Sequence, residues 1–79
     1  MIKKIDYNTL NDKQKEALLI MVKQDGYVIS DITNPSLEVQ LAAVSQNGNA
    51  LQFIKNPSEE VIKVSKMDFV EKFYYFNPN

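Results

Sequence analysis

Seventy-nine residues without a cysteine or a histidine offer no disulfide framework and no thiolate metal site, and they lack the commonest zinc ligand and the usual general base. Nine cations against ten acids leave a net charge of −1, which excludes a strong polyelectrolyte in either direction. An apolar share of 44% fits one globular domain near the lower size limit for folding without a covalent or metal staple.

The opening "MIKKIDYN" has charges with no apolar stretch behind them, so it does not read as a secretory signal. Residues 1–11 are expected to form a cap segment that lies across the first repeat unit and places Ile2, Ile5 and Leu10 on it. That helix starts at an N-cap on Asn11 or Asp12 and buries Leu18, Met21 and Val22, with Leu19 on a neighbouring stripe. Gly26 stands one place beyond it, where a left-handed C′ residue is expected. "YVISDI" then supplies one or two helical turns carrying Val28, Ile29 and Ile32.

Asn34 suits the N-cap of a second helix, with Pro35 at its first position and Glu38 near the positive end of the helix dipole. Val39, Ala42 and Ala43 form its buried side, flanked by Leu41 and Val44. Gly48 ends it as Gly26 ended the first, and "NALQFI" brings Leu51, Phe53 and Ile54. Asn56 and Pro57 open a third helix, with Glu59 at the capping-box place and Val61, Val64 and Met67 inward. Val70 occupies the next glycine column, so this helix either runs on or breaks near Met67–Asp68. Phe69, Phe73 and Phe76 share one helical stripe and are expected to close the core. Tyr74 and Tyr75 point elsewhere.

"ITNPSLEVQL" falls on "IKNPSEEVIK" when the chain is shifted by 22 residues, and "KEALLIMVKQDGYVISDI" falls more loosely on "LEVQLAAVSQNGNALQFI". The expected fold is all-α: a short stack of about three helix-turn-helix repeats over 12–33, 34–55 and 56–76, with a tail at 77–79 and irregular ends.

"NPSLEVQLAAVSQNGNALQFIKNPSEEV", Asn34 to Val61, resembles the short tandem helical repeats of a domain of unknown function found in bacterial and phage proteins. Segments similar to E-V-x-L-A-A-V-x-Q-N-G-x-A-L-x-x-I recur in that family. The resemblance implies a helical repeat and a bacterial, phage or mobile-element home, and implies no reaction, cofactor or catalytic residue. The chain departs from the pattern after Lys63, where "VSKMDFVEKF" follows.

Acid–base chemistry is limited to carboxylates: Glu59, Glu60, Asp68, Glu71, Asp25 and Asp31. They fall at helix starts or on polar faces rather than at a defined separation in a cleft, as two-carboxylate hydrolysis requires. No phosphate loop, nucleophile elbow or metal-ligand cluster occurs, so no enzyme activity, cofactor or metal is expected. Gln24 and Gln46, beside the two glycines, either row up for a ligand or bond nearby backbone. Partner contact is expected at Tyr74 and Tyr75, with Lys63, Lys66 and Lys72 as a basic stripe that Asp68 and Glu71 interrupt.

The expected function is that of a non-enzymatic protein-binding module. Its most concrete form follows from the resemblance: a small phage or mobile-element factor that inhibits a host protein such as a defence nuclease, in the manner of anti-CRISPR proteins. The alternatives are weak nucleic-acid binding through lysines and tyrosines, which the absence of arginine disfavours, and a structural unit or homodimer joined at the aromatic C-terminal segment. A cytoplasmic location, in a bacterial cell or phage-infected host, is expected, since no apolar run approaches the roughly 18 residues of a membrane span.

Overall fold

The computed structural model describes residues 4–78 and is mostly helical. In chain order it comprises strand β1 (Ile5–Asp6), helix α1 (Asp12–Gln24), strand β2 (Ile32–Thr33), and helices α2 (Leu37–Gln46), α3 (Glu59–Ser65) and α4 (Phe69–Phe76). Three 3-10 helices lie between them, over Tyr7–Thr9, Gly26–Asp31 and Gly48–Phe53. Helix α2 is central. It packs against α1 on one side and α3 on the other, and the 3-10 helices Gly26–Asp31 and Gly48–Phe53 lie over the same row and touch each other.

The core is small and aliphatic. Leu18 and Val22 of α1, Val39, Ala43 and Val44 of α2, and Val61 and Val64 of α3 are buried, closed over by Ile29, Ile32, Ala50 and Ile54. Burial of each Val or Ile contributes roughly 1.5–3 kcal/mol. Alanine at 43 brings the backbones of neighbouring elements close. Met21, expected inward, is half exposed, because α1 has a neighbour on only one flank. Phe53 also stays partly exposed, with its ring edge-to-face on Tyr27.

Several local expectations are corrected. The all-α expectation fits broadly, with one addition: β1 and β2 form a two-stranded parallel pair with Ile5 opposite Ile32. This pairing joins the front of the chain to the end of the first unit, with the Tyr7 ring under Lys15 of α1, and it leaves Ile5 exposed while Leu10 packs on the core. Ile2 lies outside the described residues. The N-caps of α2 and α3 are Ser36 and Ser58, not Asn34 and Asn56: their Oγ atoms accept from the Val39 and Val61 amides at 3.2 and 3.3 Å. Pro35 and Pro57 therefore precede the caps, and Glu59 is the first residue of α3 rather than its capping-box partner. Asn34 and Asn56 adopt left-handed backbone, with φ of 55° and 52°, a region that asparagine tolerates better than other residues with a Cβ. A capping box does form at α1, where Asn11 and Gln14 bond reciprocally.

The glycines also have a different reason. Neither has a positive φ, so left-handed geometry does not require them. Each opens a 3-10 helix pressed against the next α-helix. A Cβ on Gly26 would stand 2.5 Å from the Ala43 carbonyl oxygen, and one on Gly48 would press on the Ser65 carbonyl oxygen. The Gly26 amide also donates to Gln46 Oε1 at 2.6 Å, so that glutamine accepts a backbone N–H instead of joining a row of free amides.

Gly48→Ala is expected to cost about 1–3 kcal/mol through overpacking, and Gly48→Asn at least as much, although asparagine would be tolerated at a left-handed C′ site. Urea unfolding of the two variants checks this. Ser58→Ala should cost about 1 kcal/mol as the loss of a cap, while Asn56→Gly, which keeps the positive φ accessible, should stay close to the parent protein in the same assay.

Candidate functional site

The helical pattern of the third segment does not run on. Helix α3 ends at Ser65, Lys66 caps it, and α4 restarts after Asp68. The restart is a second capping box: the Glu71 amide donates to Asp68 Oδ1 at 2.8 Å, and the Asp68 amide to Glu71 Oε1 at 3.2 Å. At the other end the Asn77 side-chain amide donates to the Phe73 carbonyl. The few backbone approaches that α4 makes to other elements leave its side chains to attach it.

Two polar contacts do so. Lys72 Nζ donates to the Ser45 carbonyl oxygen at 2.8 Å, placing a cation at the C-terminal end of α2, where the helix dipole is negative and α2 has no basic residue of its own. The Tyr75 hydroxyl donates to Glu60 Oε2 at 2.5 Å, and its ring packs on the core. That hydrogen bond, with lesser help from desolvation and the Glu60 charge, raises the Tyr75 pKa above the ordinary tyrosine value.

With about 100° per residue, these contacts fix the orientation of α4. Lys72 and Tyr75 take the side toward the protein, while Glu71, exposed, caps the helix start. Phe76, Phe69, Phe73, Val70 and Tyr74 fill a continuous outward arc of about 160° that contains no charge. All five are exposed, Phe69 to 85% and Tyr74 to 67%. The three phenylalanines expected to close the core are therefore outside it, and the polar residues hold the helix on. A period of 3.6 gave the right stripe and the wrong side, because Lys72 and Tyr75 each had a polar acceptor to reach.

The apolar face continues onto α2. Leu37, Leu41, Ala42 and Ser45 form the floor of an open groove of about 680 Å³ that ends against Phe76, with Lys23 and Glu38 also on its lining. A smaller hollow of about 270 Å³, lined by Ser45, Phe69, Phe73 and Phe76 among others, joins the groove to α4. A third depression, lined by Lys4, Thr33, Asn34, Gln40, Lys55 and Asn56 among others, is polar and lies by the strand pair.

Of the partner-contact residues expected from the sequence, Tyr74 is on the outward arc and Lys63 and Lys66 are exposed on and after α3. Lys72 and Tyr75 are engaged within the protein. Sequence pattern alone did not mark Phe69, Val70, Phe73, Phe76 or the α2 groove as surface. Four of the six carboxylates singled out have local occupations: Glu60 accepts from Tyr75, Asp68 and Glu71 cap α4, and Asp25 accepts from the Tyr27 amide. Among the described residues no cluster of three or more His, Cys, Asp or Glu side chains could hold a metal ion, and no helix is long and apolar enough to cross a membrane.

The raised pKa of Tyr75 means that the folded state favours its neutral form. The stability it contributes is complete below pH 10, the unfolded tyrosine value, and is lost as pH rises through the higher folded value. A titration followed at 295 nm should show a component ionising above the ordinary tyrosine value, and Tyr75→Phe should remove it.

No family model, curated protein or solved structure matches this chain.

Proposed function

We propose that the chain is a non-enzymatic protein-binding module, built as a short stack of 22-residue helical units, that holds an apolar partner surface on α4 and the adjoining α2 groove. The stack is supported by equal roles at positions 22 apart. Ser36 and Ser58 cap helices, Asn34 and Asn56 take left-handed backbone, and Asp25 and Asn47 cap the two long 3-10 helices. Gly26 and Gly48 press on the carbonyls of Ala43 and Ser65.

One observation carries the binding reading: the outward arc of α4 is aromatic and aliphatic and carries no charge, while Lys72 and Tyr75 are spent on attachment. Five such side chains present about 600 Å², at the upper limit of the largest patch on a typical monomer. Covering them is worth about 15 kcal/mol gross at roughly 25 cal/mol per Å², against an association cost of about 4–15 kcal/mol. Micromolar affinity, about −8 kcal/mol, lies within that margin. Nucleic-acid binding has less behind it, since the Lys72 ammonium is bonded to Ser45 and the net charge is −1.

Capture from an extract of the source cell, with the protein immobilised at micromolar concentration, tests the reading. A stoichiometric protein partner should be retained and should be lost on Phe73→Glu with helix content unchanged. No retained partner, a second copy of the chain included, or one indifferent to Phe73→Glu, overturns it.

A further inference from the structure

Resting on that reading, we infer that the surface is self-complementary, and that its occupant is a second copy of the chain related by a two-fold axis. An isologous contact requires a projection and its receptor on the same patch. Both are present here. Phe69 is the most exposed large hydrophobic side chain of the described residues and stands at the first position of α4. The hollow that Phe69 lines opens at Ser45 and Phe76 into the groove, which runs along α2 over Ala42 and Leu41 to Leu37. A two-fold axis over this patch sets Phe69 of each copy into the groove of the other, next to Leu37, and lays the two α4 arcs together.

The area is sufficient. About 600 Å² of aromatic and valine surface from each copy buries about 1,200 Å² in total, above the roughly 1,000 Å² that a specific interface needs.

Charge favours the same occupant. No charged residue interrupts the arc, so nothing on it repels its own copy. The groove lining carries one cation, Lys23, and one anion, Glu38, which lets two such rims pair. A lipid surface is a poorer match. Interfacial helices depend on basic residues flanking the apolar face, and the one cation of α4 is bonded to Ser45.

Sedimentation equilibrium of the full chain from about 1 to about 200 µM, a range spanning micromolar affinities, tests the inference. The expected mass is twice the 9.1 kDa of one chain at the upper concentrations. Phe69→Glu and Leu37→Glu should each raise the dissociation constant by at least about 30-fold, the scale of a hot-spot loss. Both positions open a helix, where an acid suits the dipole, so helical circular dichroism should be unchanged. Phe69→Glu combined with Leu37→Lys on one chain should recover dimerisation, since each new carboxylate then meets the partner copy's new ammonium. A single-chain mass throughout overturns the inference, including when that monomer binds lipid vesicles. A dimer indifferent to either single substitution, or a double variant that stays monomeric, also overturns it. If the protein is monomeric yet retains a partner that Phe73→Glu releases, the second copy is refuted and the protein-binding reading stands. If it dimerises as described and retains no other protein, the second copy stands and a foreign partner is refuted.

Discussion

The approach of two backbones at Gly26 and Gly48 is the constraint on which the rest of the structure depends. Each glycine begins a 3-10 helix whose first residue lies against a carbonyl of the following α-helix, Ala43 for one and Ser65 for the other. With no Cβ between them, the 3-10 helix can lie down on its neighbour and bring Ile29 or Ala50 into the core. Any side chain there would lift the layer, and the valines beneath it would lose their cover. The core has few residues to spare, so this contact sets the spacing of the whole row.

The sequence was most legible where apolar period and glycine position acted together. Val22, Val39, Ala43, Val44, Val61 and Val64 are buried as their spacing implies, and each long 3-10 helix begins at its glycine. Identical letters can nevertheless carry a different mechanism. "NPS" offers two residues able to cap a helix, and the sequence alone does not choose between asparagine and serine. The chain places the left-handed turn at asparagine, which leaves serine two places on to meet the free amides. The strand pair was invisible because two residues of extended chain carry no alternation to read.

At α4 the sequence signal was strong and its direction was not. A stripe of aromatic residues normally turns inward, because the hydrophobic effect is the largest driving force available. Here Lys72 and Tyr75 lie on the opposite side of the helix, and both find acceptors on α2 and α3 at hydrogen-bonding distance. Once those contacts form, the phenylalanines have no route into a core already filled by valine and isoleucine. The apolar face is thus a product of geometry: a full core beside a short helix with two polar anchors.

Those anchors have an energetic consequence for α4 itself. With little backbone packing of its own, α4 is held chiefly by those two contacts and the Tyr75 ring, and elements so sparsely packed lie toward the low end of local stability. A ligand covering both its outer face and the adjoining α2 groove would favour the docked form, and so would draw the helix down and rigidify it. Recognition and the ordering of the C-terminal segment then become a single thermodynamic event.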